Sequence, residues 1–177
     1  QFEDSAVLSI PSGVESLCID VEDGTYPIRA NYLRVGSRRP LGAGAGSLAL
    51  LAWMPDAERE AALEILASQM SRYPRITPAL LRERIADARE RGYVVLLDVV
   101  VERMGGIGVP VLDPEGRPVA ALSIAALNDR ILARESAMAH ALIHESTVCQ
   151  VRWSEAMRTS RRQAGTPPQP PSLETLR

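Results

Sequence analysis

The chain has 177 residues, a net charge of −2 at pH 7 and two cysteines. With 46% hydrophobic and 24% charged residues it has the make-up of a single globular domain with a sizeable core of its own. The charge excludes nucleic-acid binding by this segment's own surface, since neutralising phosphates takes a basic face. Cys18 and Cys149, far apart in sequence, make no disulfide framework and read as two small buried hydrophobes.

Residues 1–15 carry Glu3 and Asp4 and lack a basic start, so they do not read as a signal peptide. The longest apolar stretch, Val94 to Val101, is broken by Asp98 and falls far short of the ~20 residues that cross a bilayer. No membrane partner and a cytoplasmic location are expected. The start at Gln1, without Met, suggests a segment of something larger.

In chain order, Ser5 to Ile10 reads as a short strand. Glu15 to Glu22 alternates, with Leu17, Ile19 and Val21 on one face and Cys18, Asp20 and Glu22 on the other. A turn at Glu22–Thr25 leads to a second alternating run, Tyr26 to Val35, which places Tyr26, Ile28, Ala30 and Tyr32 together and predicts a third strand of an antiparallel meander. A Gly-rich stretch from Gly36 to Ser47 runs into Leu48–Trp53, a short helix apolar nearly all round. The next helix starts at Pro55-Asp56, with Ala62, Ile65, Leu66, Gln69 and Met70 as its inward stripe.

Thr77-Pro78 opens a further helix, an N-cap followed by proline, with Leu81, Ile85 and Ala88 inward and Gly92 as its C-terminal cap. Tyr93–Leu97 and Ile107–Leu112 are strands. Asp113-Pro114-Glu115-Gly116 is a hairpin turn into the strand Pro118–Ala126. A long helix is predicted from about Ala133 to Met157, and the Arg-, Pro-, Gln- and Thr-rich end, 160–177, is expected to be a disordered tail beyond a domain of residues 1–159. This order of strands and helices predicts an α+β domain with a mostly antiparallel sheet.

Few groups suggest chemistry. Gly44-Ala45-Gly46-Ser47-Leu48-Ala49 matches G-x-G-x-x-A, but that dinucleotide fingerprint needs a buried parallel strand before it, and Arg38-Arg39-Pro40 stands there instead. A nucleotide-dependent oxidoreductase is thus the weaker alternative. The same small residues open a helix N-terminus whose amides can hold a carboxylate, or serve only as a tight turn. Gly106 and Gly108 on one strand, with Ala121, Ser123 and Ala125 on the next, either leave a cavity holding one hydroxyl or accept a closely packed helix. In the second case the domain would be a ligand-free assembly module. His140 and His144 share one helix face at i, i+4 without a convincing third metal ligand, so a solvated pair is the better reading. No metal, no cofactor, no activated nucleophile and no acid–base pair is legible.

Several stretches in order resemble the effector-binding domain of the IclR family of bacterial transcriptional regulators. They are Arg34 to Leu41, the small-residue stretch through Ser47 with Ala49–Ala52, Ala88 to Tyr93, Gly106 to Val111, Gly116 to Ile124, and Arg130. The resemblance covers roughly residues 5–158. It implies a GAF-like fold, an antiparallel sheet of about six strands flanked by helices, and a small-molecule sensor rather than an enzyme. It also implies assembly as a homodimer or tetramer, and DNA contact only through an N-terminal winged helix-turn-helix absent from this chain. The implied effector is a small organic acid, aliphatic or aromatic. Carried over position by position, Ala45 and Gly46 would hold the carboxylate and Ser123 would supply a hydroxyl. A second polar position is Ala125 here, an often acidic one is Leu96, one that can be cysteine is Gly106, Met104 lies on the apolar wall, and Arg39 stands where leucine is common.

Overall fold

A computed structural model describes residues 1–29, 34–69 and 72–164. Ten elements follow in order: β1 (Ser5–Ser12), β2 (Glu15–Glu22), β3 (Arg38–Pro40), α1 (Ala45–Ala52), α2 (Asp56–Gln69), α3 (Pro78–Arg91), β4 (Val94–Leu97), β5 (Met104–Leu112), β6 (Pro118–Leu127) and α4 (Asn128–Ala164). The strands form one sheet in the order β3-β2-β1-β6-β5-β4, and every pairing is antiparallel. The α+β, GAF-like architecture is the one the resemblance implies. It contains no parallel crossover among the described residues, which removes the βαβ setting a dinucleotide fingerprint requires.

Local signals explain most boundaries. Thr77 accepts the Leu80 N–H at 3.1 Å, Pro78 follows it, and Gly92 closes α3 at φ 83°. In the β5–β6 hairpin, Asp113 accepts the Glu115 and Arg117 N–H groups at 3.0 and 2.8 Å, and Gly116 supplies a φ of 81°.

The two sheet faces carry separate cores. On one side of the sheet, α1, α2 and α3 share a core with it that includes Leu48, Leu51, Leu63, Leu66, Leu81, Ile85 and Val94. The other meets α4 through Ile107, Val109, Ile124, Ile131, Met138 and Leu142. All eight residues of α1 are buried, and its C-terminal carbonyls are met from α3: Arg89 donates to Ala52 O at 2.7 Å and to Met54 O at 3.2 Å. Arg130, at the start of α4, grips Asp4 at 2.8 and 3.1 Å and donates to Phe2 O at 2.8 Å, which ties the segment before β1 to the far face.

Several expectations are corrected. Tyr26–Arg29 is not a strand. The Tyr26 N–H goes to Glu3 O at 2.8 Å, its ring lies 3.7 Å under the Arg130 guanidinium, and Pro27 follows. Ala30 and Tyr32 lie outside the described residues, and β3 is formed by Arg38–Pro40 at the sheet edge, where proline is tolerated. In α2, Leu63 is buried and Ile65 is 48% exposed, because Ala62, Leu63 and Leu66 are the residues the helix turns into the shared core. Met70 lies outside the described residues. The helix α4 starts at Asn128 and runs to Ala164, past the expected end near Met157, and the rest of the expected tail lies outside the described residues. Cys18 is buried, whereas Cys149 is only half-buried.

A β-bulge changes which side chains β2 turns inward. Leu8 pairs with Asp20 and Ser9 with Cys18, so the register skips Ile19. Beyond the skip, Cys18 and Ser16 face the α1 side, and Ile19 is left 39% exposed. Leu17 and Val21 therefore do not share a face: Val21 pairs with the buried Val7, and Leu17 pairs with Ile10.

The seat of α1 rests on two glycines. A Cβ on Gly108 would stand 2.9 Å from the Ala45 carbonyl carbon and oxygen and 3.1 Å from Gly46 N, and one on Gly106 would stand 3.0 Å from Ala45 Cβ. Gly108→Ala, a change that normally favours a strand, is therefore expected to push α1 off the sheet and cost about 1–3 kcal/mol, read as a lower urea midpoint without a change in slope.

Candidate functional site

The helix α1 begins in a sharp main-chain reversal. Gly42 has φ 92° and Gly44, the N-cap, has φ 145°, a region open essentially to glycine alone. Gly44 has no side chain to cap the helix. The first helical bond runs from Leu48 N to Gly44 O at 2.8 Å, so the amides of Ala45, Gly46 and Ser47 precede any intrahelical acceptor. Gly46 is glycine for a different reason: a Cβ there would sit 2.9 Å from Ser123 Oγ.

These amides open onto a cavity of about 70 Å³ between α1 and the sheet, several times the ~10–15 Å³ that admits one water. All eight positions expected from the sequence line it: Arg39, Ala45, Gly46, Leu96, Met104, Gly106, Ser123 and Ala125. Of the two readings of the β5 glycines, the close approach of a helix is the one observed. Gly106 and Gly108 do not leave the empty space themselves; the α1 main chain fills it, and the cavity lies beside that contact.

The sequence reading missed Ser9 on β1, Ser16 on β2, and Val99 and Val100 in the β4–β5 loop, all of which line the cavity. Ser9, Ser16 and Ser123 are 7%, 6% and 8% exposed, and among the described residues none of these hydroxyls has a hydrogen-bond partner in the protein. Ser5 sits directly across from Ala125. Its Oγ, sealed from solvent and without a partner, stands beside the position where a second hydroxyl was expected.

The charge of the site is one-sided. Among the described residues no Asp, Glu or His lines the cavity, and the one charged lining residue is Arg39, whose Nη1 lies 4.0 Å from the place a Gly44 Cβ would occupy. The partial positive charge of a helix N-terminus adds to that guanidinium. Burial pushes the thiol of Cys18, behind this wall, above its ordinary pKa. His140 and His144 are exposed on α4, away from the cavity, and no cluster of three metal-ligating side chains forms among the described residues.

The loop over the cavity is pinned at both ends. Asp98 accepts the Arg103 N–H at 2.7 Å, and Asp98 N donates to Met104 O at 3.0 Å. That Arg103 bond, with the Asn128 side chain, holds the Asp98 carboxyl below its usual range. A depressed pKa stabilises the closed loop above about pH 3.9, the unfolded value, and the gain is lost as pH falls through the folded value. Hydrogen-exchange protection of the Arg103 amide is expected to fall on acidification through that window, and Asp98→Asn should remove the pH dependence. Ser5→Ala, which deletes a buried hydroxyl lacking a partner, is expected to raise stability by about 1 kcal/mol, read as a melting temperature about 2–4 °C higher.

Comparison with known proteins gives one answer. Residues 1–149 match the family described as the C-terminal domain of the bacterial transcriptional regulator IclR. The chain is 34% identical over 130 residues to the HTH-type transcriptional regulator XynR of Escherichia coli, covering 70% of this chain and 49% of that protein. It is 28% identical over 131 residues to the HTH-type transcriptional regulator KipR of Bacillus subtilis, covering 73% of this chain and 52% of that one. The chain thus spans about half the length of these relatives. Among solved structures, a transcriptional regulator from Rhodococcus sp. superposes with a TM-score of 0.77 at 22% identity, over 87% of this chain and 62% of that one. The IclR of Thermotoga maritima superposes with a TM-score of 0.71 at 24% identity, over 82% of this chain and 61% of that one. At these identities the structures speak for the fold alone.

Proposed function

The chain belongs to the IclR family of bacterial transcriptional regulators, of which it carries the C-terminal domain, and we propose that it is the ligand-sensing and oligomerisation part of such a regulator. The family relatives are regulators, not enzymes. The effector is a small organic acid. Its carboxylate sits at the Ala45 and Gly46 amides with Ser123 beside it, and its carbon skeleton lies against Leu96, Met104 and Ala125. Binding biases the geometry of a homodimer or tetramer, and through it the spacing of N-terminal DNA-binding domains outside this chain, by favouring one of two subunit arrangements. No helix of the described residues is long and apolar enough to cross a membrane.

The observation that carries this reading is the uncapped N-terminus of α1, which opens on a cavity lined, among the described residues, by a guanidinium and no acidic side chain. A carboxylate satisfies such amides, and the low dielectric of a buried site strengthens the bond.

Calorimetric titration with butyrate, benzoate and the amide of each tests the proposal. The acids are expected to bind and the amides to bind at least about tenfold more weakly. Ser123→Ala should weaken acid binding about tenfold, the effect of one hydrogen bond to a charged group. Equal affinity for acids and amides would remove the carboxylate from α1.

A further inference from the structure

The three hydroxyls without partners form a row. Ser123 on β6 is diagonal to Ser9 on β1, since Ser9 pairs with Ala121 and Ser123 with Val7. Ser9 is in turn diagonal to Ser16 on β2, since Ser9 pairs with Cys18 and Ser16 with Pro11. Ser16 lies directly opposite Arg39 on β3. Diagonal neighbours on adjacent strands stand about 7–8 Å apart, so the row runs across four strands from α1 toward the sheet edge. Each serine is more than nine-tenths buried and lines the cavity. Only the bulge at Ile19 brings Ser16 to this face; an unbroken register would put Leu17 and Ile19 there and make the wall apolar.

We propose that Ser9 and Ser16, with Ser123 at one end and Arg39 at the other, form a second subsite that takes a hydroxyl group of the effector. The effector class is then a carboxylic acid with at least one hydroxyl on its carbon chain. This rests on the carboxylate reading above and narrows it. A serine hydroxyl both donates and accepts, which matches a ligand hydroxyl, whereas a second carboxylate only accepts. A dianion would also bring two negative charges to a site lined by one guanidinium and one helix N-terminus. The walls formed by Leu96 and Met104, on the β4 and β5 side, are left for the carbon skeleton.

Four-carbon acids provide the test: butyrate, its β-hydroxy and α,β,γ-trihydroxy derivatives, and succinate, each titrated calorimetrically into the full chain and into the Ser9→Ala/Ser16→Ala double variant. The hydroxylated acids are expected to bind about tenfold or more tighter than butyrate. In the double variant, whose melting temperature reports an intact fold, that ratio should fall to about one. Butyrate binding as tightly as its hydroxylated forms, or a preference that survives in the double variant, overturns the subsite and leaves the carboxylate reading standing. Succinate as the tightest ligand overturns it in favour of a second carboxylate. Failure of every acid to bind overturns both readings.

Discussion

Two strand positions without side chains, Gly106 and Gly108, let the α1 N-terminus lie against β5, and the height of the α1 amides above the sheet depends on that contact. A helix normally meets a sheet through side chains, about 10 Å from backbone to backbone. Here a Cβ on Gly108 would already touch the Ala45 carbonyl. The helix is thereby sunk close to the sheet, and Ser123 Oγ fills the space a Gly46 side chain would need. Arg89 meets the carbonyls at the other end. The result is a wholly buried helix whose C-terminal polar groups are satisfied by the protein and whose N-terminal ones face a cavity.

This arrangement runs against stability. Buried hydroxyls without partners are costly to keep out of water, and Ser9, Ser16 and Ser123 stand where a core would ordinarily place valine or leucine. The domain offsets that cost elsewhere. Its second face, with Ile107, Ile131 and Met138 fully buried, is apolar. The ion pair of Asp4 with Arg130 is backed by the Phe2 carbonyl and the Tyr26 ring. Polar groups that lack partners are thus gathered largely on one side of the sheet, where a ligand can reach them, an arrangement that suits a site more than a scaffold.

The fold was legible wherever local chemistry decides. Thr77-Pro78, Gly92 and Asp113-Pro114-Glu115-Gly116 each act through their own backbone preferences, and the structure follows them. Alternation misled wherever a distant partner decides. Tyr26 to Arg29 has the pattern of a strand, yet its backbone and ring are claimed by Glu3 and Arg130. The cavity residues of α1, β5 and β6 were legible through small-residue spacing and family resemblance. Ser9 and Ser16 were not. In β1 the apolar Leu8 and Ile10 lie opposite Ser9, so period-two reading prefers the wrong face as core. In β2 the face of Ser16 depends on a bulge, and a skipped residue leaves no mark in composition.

The α1 contact also has an evolutionary consequence. Part of the cavity's boundary is the α1 N-terminus, seated against glycine-bearing β5. Neither can be reshaped by exchanging one side chain for another without dislodging the helix. Variation is freer at the walls, where Leu96, Val99, Val100 and Met104 stand on one side and Ser9, Ser16 and Arg39 on the other. Paralogues descended from such a domain would therefore share the seat of α1 and diverge laterally, each new lining arising from the flanks while the seat stays fixed.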